Sequence, residues 1–169
     1  MPVDRALLER LTKRDISLPE IEALDTENKF KEFDSEIAWK LGCSVKALAE
    51  KEFPGRGVAI DITLTTGQQL FRANSTGKGI KFDNDNWIRR KQNTVKRFGV
   101  SSFYINVKKG SLDFKTKFYC DPVEYAFHGG AIPLYLNNLE SPIAILTCSG
   151  LAQEEDYILG LTAIKQFLA

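Results

Sequence analysis

The sequence predicts an α+β fold in which helices cover an antiparallel sheet. Two observations predict it. Strand-like runs occur in two neighbouring pairs, each joined by a turn segment, and such hairpins make an antiparallel sheet. Helical periodicity occupies the chain before, between and after them. No internal repeat, linker or low-complexity tract divides the 169 residues, so a single domain, 1–169, is expected.

Val3, Leu7, Leu8 and Leu11 recur at helical spacing and give a short first helix ending near Asp15. Ser17-Leu18-Pro19-Glu20 combines a capping-box spacing with a proline near the first helical position, which starts a second. Lys29 to Phe33 is too short for a helix and reads as a strand. Asp34 or Ser35 caps a longer helix to about Lys51, with Ile37, Leu41, Val45 and Leu48 on one face, and Phe53-Pro54-Gly55 stops it. In 57–64, Val58, Ile60, Ile62 and Leu64 alternate with Ala59, Asp61 and Thr63. Thr65-Thr66-Gly67-Gln68 then turns this strand into a second over 69–73. Asp83 or Asp85 is expected to cap a helix through Phe98, with Gly99 as its terminating glycine. Residues 101–127 show no clear period beyond a strand near Phe118. The runs 131–136 and 143–148 flank a six-residue loop and form the second hairpin. Gly150 precedes a final helix in which Tyr157, Leu161, Ile164 and Leu168 share a face.

Composition excludes several functions. With 23 Lys and Arg against 22 Asp and Glu, the net charge of +1 argues against nucleic acid or an anionic membrane surface as a partner. One His removes every site that needs two or more. Cys43, Cys120 and Cys148 are odd in number and form no CxxC, so they read as free thiols, with Cys43 and Cys148 buried. The first residues show no signal-peptide pattern, and no apolar run approaches the roughly 20 residues of a membrane span. A cytoplasmic protein is expected.

Three segments carry candidate chemistry. Asp83-Asn84-Asp85-Asn86-Trp87-Ile88-Arg89-Arg90-Lys91 opens a helix with a local basic excess. Asn84, Trp87, Arg89 and Arg90 are candidates for binding a small anion or for a subunit interface. The acids at its start and bases at its end also suit the helix dipole. His128-Gly129-Gly130 places a lone His before two glycines that permit close backbone approach. Ser149 to Asp156 ends in Glu154, Glu155 and Asp156, again favourable at a helix start. The basic helix and acidic segment together suggest self-association. Asp83 to Asn86 resembles an EF-hand opening, but Ile88 and Thr94 stand where that loop needs Gly and Glu. Gly55-Arg56-Gly57 and Gly77-Lys78-Gly79 lack the context of phosphate loops and read as turns.

These segments, in order, carry a family resemblance. Val58-Ala59-Ile60-Asp61-Ile62, the Asp83-Asn84 and Trp87 to Lys91 run, Arg97-Phe98-Gly99 with Ser101-Ser102, Glu124-Tyr125-Ala126 with His128-Gly129-Gly130-Ala131, and Ser149-Gly150-Leu151 with Gln153 to Asp156 resemble the GlcG/HbpS-like superfamily, whose label is a haem-degrading domain. The nearest branch is its short stand-alone uncharacterised proteins, and the likeness runs over about 33–167. The resemblance implies a profilin-like three-layer α/β/α fold with a five-stranded antiparallel sheet and homo-oligomers built from dimers. In that branch a His commonly follows Glu-Glu-Asp; here Tyr157 stands in its place, so a two-histidine site would need Tyr157 to serve as a phenolate.

No catalytic constellation stands out. The expected function is therefore a non-enzymatic, oligomeric, cytoplasmic domain for small-molecule binding or assembly, with no cofactor and no metal. The alternatives are a haem or tetrapyrrole protein using His128 as iron ligand, and an adaptor for a chaperone or protein-targeting complex.

Overall fold

The computed structural model describes residues 1–169. Its first helices begin where local chemistry dictates. α1 (Arg5–Lys13) starts at Asp4, whose carboxylate accepts from the Leu7 amide at 3.0 Å. α2 (Leu18–Thr26) carries the reciprocal capping box: the Glu20 amide donates to Ser17 Oγ, and the Ser17 amide donates to the Glu20 carboxylate. α3 (Ser35–Glu52) is capped by Asp34 and buries Ala38, Leu41, Val45, Leu48 and Ala49 as one stripe.

Four strands form the sheet: β1 (Ala59–Leu64), β2 (Gln69–Asn74), β3 (Ala131–Leu134) and β4 (Ala144–Ser149). Their order is β2-β1-β4-β3, antiparallel throughout. The five strands implied by the resemblance are thus four. The segment at Lys29 to Phe33 contributes only one parallel bridge, Phe30 with Leu136. Phe30 is drawn into the core at 1 % exposure, and Asp34 starts α3 before the pairing can extend.

The remaining helices are α4 (Asp83–Phe98), α5 (Ser102–Lys109), α6 (Phe114–Phe118) and α7 (Gln153–Leu168). Neither Asp83 nor Asp85 caps α4. Phe82 occupies the cap position without a side-chain bond, and both acids lie in the first turn. Gly99 ends the helix in the left-handed conformation, φ 69°. The expected strand near Phe118 is α6, because Phe114 and Phe118, four apart, both pack on Phe127. Cys43 is exposed rather than buried, while Cys120 and Cys148 are buried free thiols.

Strand alternation divides the molecule into three layers. Ile60, Ile62, Leu146 and Cys148 point into the main apolar cluster beneath α3 and α7. Asp61, Ile145 and Thr147 point the other way, towards α4. No helix is long and apolar enough to cross a membrane.

Candidate functional site

Where the C-terminal end of β4 meets the first turns of α4 and α7, the chain borders an open cavity of about 220 Å³. Asn84, Trp87 and Lys91 reach it from α4, and His128 from the segment before β3. Ser149, Gly150 and Leu151 form the turn beneath it, and Gln153 and Asp156 come from α7.

Its floor is an ion pair. Lys91 and Asp156 are each 3 % exposed, and Lys91 Nζ lies 3.1 Å from Asp156 Oδ2. The ammonium also donates to the Cys148 carbonyl at 3.0 Å. Asp156 Oδ1 accepts from the Leu151 amide at 3.1 Å. Burial pushes the Asp156 carboxyl up from its ordinary pKa, against the pull of Lys91 and the backbone amides. At the wall, the His128 ring meets Trp87 edge-on at 4.8 Å, and the Arg90 guanidinium sits 4.5 Å from the Trp87 ring centre. Burial lowers the His128 pKa, and Lys91 and Arg90 lower it further, so the imidazole is neutral at physiological pH. At the rim, Asn84 Nδ2 donates to Ser149 Oγ at 3.3 Å, and the Gly129 amide donates to Gln153 Oε1 at 3.1 Å.

Asn84, Trp87, His128 and Asp156 are therefore brought together, whereas the other candidates are engaged elsewhere. Arg89 is bonded to Glu124 and the Val123 carbonyl, and Arg90 Nε to the Pro122 carbonyl, so both fasten the 122–124 segment onto α4. Glu154 pairs with Arg14 at 2.7 Å, and Glu155 takes a two-pronged contact from Arg56 at 2.6 and 2.9 Å. The acids of α7 are thus matched by bases of their own chain, and their charge does not call for a partner. Gly129 and Gly130 serve close packing. A Cβ on Gly130, φ 130°, would lie 2.3 Å from the Cys148 carbonyl and 2.8 Å from Lys91 Nζ; one on Gly129 would lie 2.5 Å from the Gln153 carbonyl. Tyr157 is no phenolate ligand. One residue beyond Asp156, it turns into the core, stacks on Phe103 at 4.7 Å and donates to Asp25 Oδ1 at 2.7 Å. Burial and Asp25 hold its pKa well above the usual phenol value.

The family model described as haem degrading protein HbpS-like matches residues 33–165. The chain belongs to the HbpS-like family. It is 42 % identical over 165 residues to the Saccharomyces cerevisiae UPF0303 protein YBR137W, covering 98 % of this chain and 92 % of the relative. The crystal structure of the Ybr137w protein superposes with a TM-score of 0.95, covering 98 % of this chain and 96 % of that one. A double mutant of Streptomyces reticuli HbpS, 19 % identical, gives a TM-score of 0.63 over 83 % of this chain and 90 % of that one, a likeness of fold alone.

Five residues of this HbpS-like cavity, Lys91, Ser149, Gly150, Leu151 and Gln153, lie in the segments the sequence singles out but are not individual candidates there. For Lys91 the signal was present. Ile88, Lys91, Gln92 and Val95 follow the i, i+3, i+4, i+7 pattern of a buried helix face, and all four are buried. Gln92 Nε2 reaches Asp61 at 2.6 Å, and Asp61 also accepts from Thr63 and Gln69. The layer beneath α4 is therefore polar along much of its length.

Proposed function

We propose that this HbpS-like chain is a non-enzymatic protein that binds a small molecule in the cavity above Lys91 and associates with itself. The binding reading is carried by one observation: the motif segments converge on a cavity whose floor is a fully buried ion pair. Such a pair contributes little net stability compared with apolar side chains of similar volume, so its position under an open cavity favours a ligand-directed role. Ser149 Oγ is bonded to Asn84, not to a general base, which favours binding over nucleophilic catalysis. Self-association is supported by Phe82, Tyr119 and Val123, which stand 93, 79 and 67 % exposed.

Thermal melting against small polar molecules tests the binding reading. A ligand present at 100 times its Kd should add about 2.7 kcal/mol of stability. Absence of any shift across charged and neutral compounds at millimolar concentration contradicts it. Light scattering tests the second part, and a strictly monomeric mass at micromolar concentration contradicts that.

The family description also raises haem, with His128 as ligand. A neutral imidazole suits iron, but the surroundings do not suit the macrocycle. Sites for ligands of drug size occupy roughly 300–1,000 Å³ with mainly apolar walls. This cavity has about 220 Å³, and only Trp87 and Leu151 are apolar among its lining residues. In a haem titration, wild type and His128→Ala should give the same spectrum. A saturable Soret shift lost in His128→Ala would restore haem.

A further inference from the structure

We infer that the ligand of this cavity carries a small oxyanion, a carboxylate or a phosphate. This rests on the small-molecule reading above and narrows it. The decisive feature is an imbalance between hydrogen-bond donors and acceptors. The carboxylate and amide oxygens that Asp156, Asn84 and Gln153 bring to the cavity are each already bonded by the protein. Asp156 uses Oδ1 for the Leu151 amide and Oδ2 for Lys91. Asn84 Oδ1 accepts from the Lys81 amide, and Gln153 Oε1 from the Gly129 amide.

Donors remain. An ammonium has three N–H groups, and Lys91 commits two, to Asp156 and the Cys148 carbonyl. Ser149 is an acceptor in its bond with Asn84, which leaves its own proton. Gln153 engages the protein through its oxygen, so its amide N–H₂ is uncommitted. A neutral His128 offers one N–H in either tautomer and one acceptor on its other ring nitrogen. A cavity whose uncommitted side-chain donors outnumber its uncommitted acceptors matches a group that only accepts, and an ionised carboxylate or phosphate is such a group. Its bond to Lys91 would be charge-assisted and correspondingly strong. Asp156 cancels the formal charge of Lys91, but both its oxygens face protein donors. The oxyanion therefore meets N–H and O–H groups beside a carboxylate whose charge Lys91 offsets.

Size narrows the class further. An engineered cavity of about 150 Å³ holds benzene, so about 220 Å³ accommodates an acid only modestly larger than that ring. Trp87 and Leu151 supply cover for its carbon atoms.

The chain's single His makes the test direct, because its Cε1–H gives one proton NMR resonance. The probes are benzoate, inorganic phosphate, and benzamide as the neutral isostere. Benzoate or phosphate should shift the His128 signal saturably and raise its pKa, with benzamide at least about ten-fold weaker, a difference of about 1.4 kcal/mol. A shift by benzoate alone assigns an organic acid, and a shift by phosphate alone assigns a phosphate. Gln153→Glu places a like charge at the rim while suiting the first turn of α7. Oxyanion binding should weaken at least ten-fold with the melting temperature unchanged. If that variant does not fold, Asn84→Asp provides the same test. Equal shifts by benzamide and benzoate, or insensitivity to the introduced acid, overturn the oxyanion inference and leave the small-molecule reading standing. The absence of a shift with every probe overturns the oxyanion inference, and an empty thermal-melting screen beside it overturns the small-molecule reading as well.

Discussion

The two faces of the sheet are built on opposite principles. Towards α3 and α7, β1 and β4 present Ile60, Ile62, Ala144 and Leu146, all fully buried within a cluster of 27 buried residues. Packing there is tight enough that a Cβ on Gly42 would lie 2.5 Å from the Phe71 ring. Towards α4, the same strands present Asp61, Thr63, Thr147 and Ser149, and the apolar cluster shrinks to Val95, Ala131 and Ile145. Buried polar groups cost free energy unless they are bonded. Asp61 meets that condition with three side-chain donors, and Lys91 with Asp156 and the Cys148 carbonyl. The apolar face holds the fold together, and the polar face positions the groups that line the cavity.

The largest effect is expected where the polar face loses half of a pair. Lys91→Met strands Asp156 as a buried, uncompensated charge and should cost about 3–5 kcal/mol in urea unfolding. Loss of less than 1 kcal/mol would mean that the pair is already solvated, and the contrast between the faces would weaken. On the apolar face, Leu146→Ala should cost about 2–5 kcal/mol through lost transfer energy and a residual cavity, with the His128 resonance unmoved. A shifted His128 signal would show that the two faces are coupled.

One carboxylate interrupts the apolar side. Asp25 is 5 % exposed and accepts from Tyr157 Oη and the Ser101 amide. Burial nevertheless lifts its pKa from 3.8 to about 6. A raised carboxyl pKa means that the folded state binds the proton more tightly. This group's penalty is therefore absent below about pH 4 and fully imposed above about pH 6. Stability should fall as pH rises through that window, by an amount on the order of 3 kcal/mol, and Asp25→Asn should flatten the slope. A slope identical in wild type and Asp25→Asn would contradict this assignment. The smallest effect is expected at Thr147, whose Oγ1 is buried without a partner. Thr147→Val should be neutral or slightly stabilising, and a cost above 1 kcal/mol would reveal a bond that the hydroxyl makes.

What the sequence made legible was local. The Ser17–Glu20 box, the Asp34 cap, both hairpins and the α3 stripe were readable because each depends on residues within one or two turns. Residues 101–127 were not, because Phe114 and Phe118 are organised by Phe127 and Phe98, which lie beyond the turns of their own short helix. In the site, Asn84, Trp87, His128 and Asp156 were found through their unusual segments. Lys91 was passed over because an ammonium in a basic run reads as solvated, although its helical position matched Ile88 and Val95. The partners that remove Arg89, Arg90, Glu154 and Glu155 from the site lie 32 to 140 residues away in the chain, beyond the reach of local patterns.

The central claim is that the Lys91–Asp156 pair is present for the cavity and not for stability. The double variant Lys91→Met with Asp156→Leu, studied by thermal melting and by the His128 titration with benzoate and phosphate, tests it most directly. It should melt close to or above wild type, since the apolar pair replaces the ionic one without a stranded charge, and its oxyanion response should be lost. A double variant as unstable as Lys91→Met alone, or one that still binds like wild type, would contradict the account.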